Sequence, residues 1–435
     1  MWYTLVHVCQ RWRYIALASP RRLNLRLLCP RKRRVGETFG VWPALPIVIW
    51  DENFHTDAFN IISALGHRDR VCEIKFKSFS IWHSEGFLPL MQESFPILTT
   101  LQIEYCCYYG QGRSSLVLPD SFLGGSAPSL RSLRLDSVLF PALPNLLLSA
   151  THLLHLHLSR IPPVFLSPEM AAAFSVLSRL EVMDITFVSP LDFDIEARPP
   201  LPLTRLVLPA LKSLTLRGYG EYLDDFVARI DVPSINCLDI TFRNLRFSVV
   251  DLFHLPQFIG RAEIFRSLDL ASIELGNGDI NVRLAMQTLT SGCGLLSLHL
   301  FGPKDRPLST LVQACNPLML PLSNVQSLNI TTCNPYSRAY STGATQWVDI
   351  LRPFSAAKRL SLESMCIAAP VAFVLKQVME EGMTDVLPVI QELSMLEFLP
   401  AGPVREAIEQ FVAARGLSAF EPPGRWFSDQ DANDG

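Results

Sequence analysis

Along most of the chain one short pattern returns: an apolar residue, two variable residues, then apolar, variable, apolar. It reads LRSLRL from Leu130, LLHLHL from Leu153, LKSLTL from Leu211, INCLDI from Ile235 and FRSLDL from Phe265. It continues as LLSLHL from Leu295, VQSLNI from Val325, AKRLSL from Ala357 and IQELSM from Ile390. The middle anchors fall at Leu101, Leu133, Leu156, Leu180, Leu214, Leu238, Leu268, Leu298, Leu328, Leu360 and Leu393, with weaker copies at Leu25, Ile47 and Ile74. Spacings run from 22 to 34 residues, and the three steps between Leu238 and Leu328 are 30 each. Alternation over the last three positions predicts a short strand with one buried face. Between strands the period becomes helical: Leu223, Phe226, Val227 and Ile230 sit at i, i+3, i+4 and i+7. The same spacing joins Trp347, Ile350, Leu351 and Phe354, and again Val371, Val374, Leu375 and Val378.

One strand and one amphipathic helix per repeat is the leucine-rich-repeat unit, which buries its apolar face only by stacking. The expected fold class is α/β: a leucine-rich-repeat solenoid with a curved parallel sheet and helices on the convex side, preceded by a short all-α segment. LTTLQIEYC and VQSLNITTC end in Cys106 and Cys333, where such repeats place an Asn or Cys in the turn leaving the strand. A doubly wound α/β fold is the alternative, but no phosphate-binding glycine fingerprint is present.

The residue between the last two anchors of each copy should face outward. The resulting column reads Gln102, Arg134, His157, Glu181, Thr215, Asp239, Asp269, His299, Asn329, Ser361 and Ser394. Arg134, His157, Asp239, Asp269, His299 and Asn329 are the candidate substrate contacts. The last four are expected in one row of about 15 Å, whose two aspartates favour a basic segment. Plain solvation of a sheet face predicts the same polarity.

Composition narrows the classes. At 435 residues with 18% charged, the chain can bury a large core, and no apolar run approaches the ~18 residues of a membrane span. The N-terminus lacks a secretory pattern and ten cysteines form no CxxC pairs, so reduced thiols in cytoplasm and/or nucleus are expected. Residues 1–36 hold nine Arg/Lys and no carboxylate, leaving 29 basic against 41 acidic residues elsewhere. PRKRRV, Pro30 to Val35, reads as a solvated basic loop or an import tag. A nucleic-acid site over residues 11–34 is the weaker reading, because aromatic and basic residues interleave only around Trp12 and Tyr14, so no nucleic acid is expected. His152, His155 and His157 lie close in sequence but lack further metal ligands, and Cys106–Cys107 suggests no redox centre. No catalytic motif stands out, so neither enzyme activity nor cofactor, metal or membrane partner is expected.

Leu5, Val8, Cys9 and Trp12 make one apolar helical face, and Pro20 stops the helix near Ser19. The stretch LVHVCQRWRYIALASPRRL resembles the C-terminal half of an F-box: a Val-Cys-x-x-Trp-x-x-Ile/Leu helix, then Ser-Pro and a strand. With the repeats, the chain resembles basidiomycete-type fungal F-box proteins with degenerate leucine-rich repeats, truncated at the N-terminus of the box. The expected domains are an F-box-like segment at 1–20, the solenoid at 21–400, a capping helix at 401–420 and a flexible acidic tail at 421–435. The resemblance implies the substrate-recognition subunit of an SCF-type cullin–RING ubiquitin ligase. It implies a Skp-type adaptor and a cullin as partners, with Leu5, Val8, Cys9, Trp12 and Ile15 at the adaptor and an unknown protein substrate on the repeats. A hydrophobic helix stripe more often packs in its own domain's core, and that packing is the favoured expectation for Trp12. The alternative function is a stand-alone leucine-rich-repeat interaction scaffold with a vestigial box.

Overall fold

The computed structural model describes residues 9–18, 26–29, 45–52, 57–79, 86–105, 116–161, 167–188, 205–243, 252–287, 294–301, 307–316, 320–333, 344–395 and 402–417. Leu5, Val8, Leu25, Cys106, Cys107, Pro30 to Val35 and the tail from 418 lie outside them. The chain divides into two units, one of Met1–Leu211 with Val232–Ser234 and one of Lys212–Asp231 with Ile235–Gly435.

In unit 1 each copy of the motif contributes a strand: β1 Leu27–Leu28, β2 Ile47–Glu52, β3 Val71–Phe79, β4 Thr100–Tyr105, β5 Ser132–Asp136, β6 His155–Ile161 and β7 Val182–Phe187. They pair in parallel and in chain order. Ile49, Ile74, Leu101, Leu133, Leu156 and Met183 line up across the sheet, all but fully buried. Helices return the chain between strands: α1 Gln10–Ala18 precedes the sheet, followed by α2 Ala58–Leu65, α3 Leu143–Ser149 and α4 Pro168–Ser175. Ser167 caps α4 by accepting from the Met170 amide.

Unit 2 contains β8 Ser213–Gly218, β9 Cys237–Phe242, β10 Leu270–Leu275, β11 Asp279–Ala285, β12 Leu295–Phe301, β13 Ser327–Thr332, β14 Arg359–Leu362 and β15 Glu392–Met395. Its longer helices are α5 Gly220–Arg229, α6 His254–Arg261, α7 Pro307–Ala314, α8 Ala344–Leu351, α9 Met365–Glu380 and α10 Pro403–Arg415, and a single turn, Glu263–Arg266, follows α6. The periodic residues of α5, α8 and α9 are buried as their spacing predicts. In α10, Ile408 and Phe411 are buried, and Gly416 ends the helix in a left-handed conformation.

Here the strand order departs from chain order. Across the sheet it runs β8, β9, β12, β11, β10, β13, β14, β15. β10 and β11 form an antiparallel hairpin, and β11 also runs antiparallel to β12; the other neighbours are parallel. The sequence around the turn, IELGNGDINV, explains the insertion: alternating strands flank an Asn-Gly. Gly278, at φ 99°, occupies a backbone region that a side chain would strain.

Two copies of the motif sit three residues out of frame. In LSRLEVMDITF the strand anchors are Met183 and Ile185, and in FRSLDLASIEL they are Ala271 and Ile273. Leu180 and Leu268 are buried, but they occupy the turn before the strand, as Leu153 and Val325 do. Both stretches hold two overlapping apolar frames, and strand pairing selects the later one. Leu270 therefore lies on the half-exposed face of β10, not in the core.

Candidate functional site

The face of each sheet opposite its core is polar, and its side chains bond across strands. In unit 1, Trp50, Lys75, Gln102, Arg134, His157 and Asp184 form one row. Five strand steps make it about 24 Å long. Lys75 Nζ sits 5.8 Å from the Trp50 ring centroid and also pairs with Glu73, which Arg26 Nη1 meets at 2.7 Å. Gln102 Nε2 donates to Glu104 Oε1 at 2.7 Å, and Arg134 Nε approaches the same oxygen at 2.9 Å. The Arg134 N–H is not aimed at that oxygen, so the contact is mainly Coulombic. His157 Nδ1 lies 2.8 Å from Asp184 Oδ2. Both His155 and His157 point off the core, and no group of three or more metal-ligating side chains occurs among the described residues. Glu181, expected in this column, precedes β7, and Asp184 takes its place.

Unit 2 corrects the expected row of Asp239, Asp269, His299 and Asn329. The register gives Asp239, Ser297, Arg283, Ser272 and Asn329 as one row. His299 lies in the next row, with Thr241, Asn281, Glu274 and Thr331. Asp269 belongs to neither. It stands in the turn before β10, where its Oδ1 accepts from the Gln287 amide at 2.7 Å and its carbonyl accepts from Gln326 and Ser327. Two causes act together: the later frame of β10 puts Ser272 on the face in place of Asp269, and the inserted hairpin adds Arg283 to the row. The expected preference of this row for a basic segment loses its second aspartate and gains a cation.

The centre of this face is a connected polar cluster. Ser297 Oγ is 3.1 Å from His299 Nε2, and Asp239 Oδ1 is 3.6 Å from the same nitrogen. With its amide oriented by its neighbours, Asn281 accepts from Arg283 Nε at 2.9 Å and Nη2 at 3.0 Å. Asn329 Nδ2 donates to Glu363 Oε1, and Arg359 Nε donates to Ser327 Oγ at 2.7 Å. The types Ser, His and Asp invite comparison with a nucleophile relay. In a relay the two imidazole nitrogens serve different partners, whereas here both oxygens face Nε2. Ser297 is also only 3% exposed. The cluster is arranged as a bonded surface.

The described part of α1 presents its aromatic and aliphatic residues to solvent: Trp12 and Ile15 are each 50% exposed, and Tyr14 and Cys9 are exposed as well. Packing of Trp12 in its own domain's core is therefore not what the helix does. Cys333 is also exposed. Its expected role in the turn after the strand falls instead to Thr332, whose hydroxyl donates to the Leu275 carbonyl at 2.6 Å. What the sequence reading missed is the hairpin, and with it Arg283; the GNGD turn was the available signal.

Thiol chemistry separates the cysteines. Burial pushes Cys315 up to about 12, and burial together with the charge of Asp51 does the same to Cys29. The thiolate is the reacting species, so at pH 8 iodoacetamide is expected to modify exposed Cys9 and Cys333 well ahead of Cys315 and Cys29 in the folded protein. Peptide mapping by mass spectrometry reads the order.

No family model matches the chain, and no curated protein matches it. Among solved structures, the crystal structure of the TLR13–ssRNA13 complex is similar at 14% identity and a TM-score of 0.34. The match covers 85% of this chain and 42% of that one, so the chain spans less than half of its length. A likeness at that score carries no argument. No helix among the described residues is long and apolar enough to cross a membrane.

Proposed function

We propose that this chain is a protein-interaction scaffold of leucine-rich-repeat type that binds its partner on the polar open faces of its strands. The observation that carries the reading is the cross-strand polar rows on the face opposite the core. Short strands repeat a rigid frame, while the side chain at each outward position changes, which suits recognition through many modest contacts. The reading gives the chain no chemistry and no cofactor of its own, and it works in the cytoplasm and/or the nucleus.

The finer form of the proposal is a substrate-recognition subunit of an SCF-type cullin–RING ligase. Its support is the F-box resemblance of residues 5–23 together with the solvent-facing Trp12 and Ile15 of α1. A Skp-type adaptor would dock there, and substrate held on the repeats would meet the ubiquitin carrier by proximity. A pull-down with a Skp-type adaptor tests this form: binding lost in Trp12→Ala supports it, and no binding by the parent chain leaves the stand-alone scaffold.

The broader reading has its own test. A photo-crosslinking residue at Ser361, on the open face of β14, should trap a discrete partner in cells. The same residue at exposed Lys376 on α9 should not. Equal trapping from both positions would reject the open faces as the binding surface.

A further inference from the structure

On unit 1's open face two arginines are held in an unusual way. Register runs from Ser159 opposite Thr186 to Ile161 opposite Phe187, so Arg160 is an extra residue in a β-bulge. Its φ of 59° lies in the left-handed region that residues with a Cβ seldom enter. Bulges re-aim side chains, and here Arg160 leans back over β5, its Nε 3.4 Å from Asp136 Oδ1. Arg134, on the same face of β5, leans the other way and puts its Nε 2.9 Å from Glu104 Oε1 on β4. Glu104 and Asp136 are register partners, so the two carboxylates stand on strands about 5 Å apart.

Each cation covers its carboxylate. Arg134 is 42% exposed against 25% for Glu104, and Arg160 is 59% exposed against 24% for Asp136. Each guanidinium is held beside its carboxylate by Coulombic attraction on its Nε side, without a directed hydrogen bond, and among the described residues the terminal nitrogens have no protein partner. An arginine fork tethered in this way presents two parallel donors, a geometry that matches a carboxylate.

We propose that Arg134 and Arg160 form a paired clamp for an acidic, extended segment of a protein partner. The proposal rests on the scaffold reading and names the partner chemistry of one of its faces. In an extended segment, side chains on one side recur every second residue, about 6.5–7 Å apart, so acidic residues at i and i+2 suit two neighbouring forks. The carboxylates beneath set the charge. The two arginines and the two carboxylates beneath them sum to zero charge, so the forks hold a carboxylate through directed donors rather than net attraction, and Glu104 and Asp136 oppose a phosphate dianion or a polyphosphate backbone more strongly than a single carboxylate.

The test is fluorescence anisotropy on the full chain with a labelled peptide of three Ala-Glu repeats. Its Ala-Gln counterpart, a phosphoserine peptide and hexauridylate serve as comparisons. The acidic peptide should bind at least tenfold more tightly than the Ala-Gln peptide. Arg134→Gln and Arg160→Gly should each weaken binding at least fivefold. Glycine accepts the left-handed backbone without strain, so Arg160→Gly should keep the parent's unfolding midpoint, which separates lost contact from lost fold. Equal binding of the Ala-Gln peptide, undiminished binding by Arg160→Gly, or tighter binding of the phosphoserine peptide or hexauridylate would overturn the clamp. If the clamp fails while cross-links at Ser361 persist, the scaffold reading stands without it.

Discussion

Leu268→Asp is expected to unfold unit 2, and Leu270→Asp is not. The residues are two positions apart and both fit the apolar motif, yet they meet opposite environments. Leu268 is 1% exposed in the turn before β10, while Leu270 lies half-exposed on the open face beside Ser327 and Ala285. An unpaired carboxylate at position 268 has no partner to offset desolvation, and a loss beyond about 4 kcal/mol is expected. At position 270 water remains at hand, and the cost should stay near 1 kcal/mol or less. Urea unfolding of the two variants gives the comparison. Equal destabilisation would mean that β10 pairs in the other frame.

The second large effect concerns a tether between helices. Asp224, on α5, is 7% exposed, and its Oδ1 accepts from the amides of His254 at 2.8 Å and Leu255 at 2.7 Å. These are the first residues of α6, whose opening amides have no partner within the helix. The carboxylate supplies charge-assisted bonds and also suits the positive end of the helix dipole. Asp224→Ala strands two donors and should cost about 2–4 kcal/mol. Asp224→Asn retains an acceptor oxygen and should cost roughly half of that. Hydrogen exchange at the Leu255 amide should accelerate in Asp224→Ala well beyond the global change in stability. An unchanged rate would mean that the tether contributes nothing.

The strands and helices were legible because their two periods differ: alternation marks β4, β5, β8 and β14, and the i, i+3, i+4 spacing marks α5, α8 and α9. Frame was less so. Overlapping apolar residues in FRSLDLASIEL and LSRLEVMDITF satisfy two registers equally well, and only pairing with a neighbouring strand decides between them. Strand order was hidden by an accident of spacing. Leu238, Leu268, Leu298 and Leu328 are 30 residues apart, yet the central row places Leu296 beside Leu238 and Ala271 beside Leu328. Of the candidate contacts, Arg134 and His157 occupy neighbouring strands of one row as expected. Asp239 and Asn329 share a row at greater separation, His299 moves one row over, and Asp269 leaves the face. Arg160 could not be read from the repeat at all, because a bulge adds a residue that the period does not count. The exposure of Trp12 was equally unreadable, since a helical stripe looks the same whether a core or water faces it.

The hairpin's place between β12 and β13 decides which side chains share the open face of unit 2. Disulfide trapping tests it directly. Asp239 and Ser297 are register partners on parallel strands, about 5 Å apart and within disulfide reach. Three strand steps, about 14 Å, separate β9 from β10 and put Asp269 beyond reach of Asp239. Under mild oxidation, the Asp239→Cys, Ser297→Cys double variant should yield a peptide cross-linked through those two positions. The Asp239→Cys, Asp269→Cys variant should yield none. A bridge between positions 239 and 269, with none between 239 and 297, would restore the regular stack and contradict this arrangement of the face.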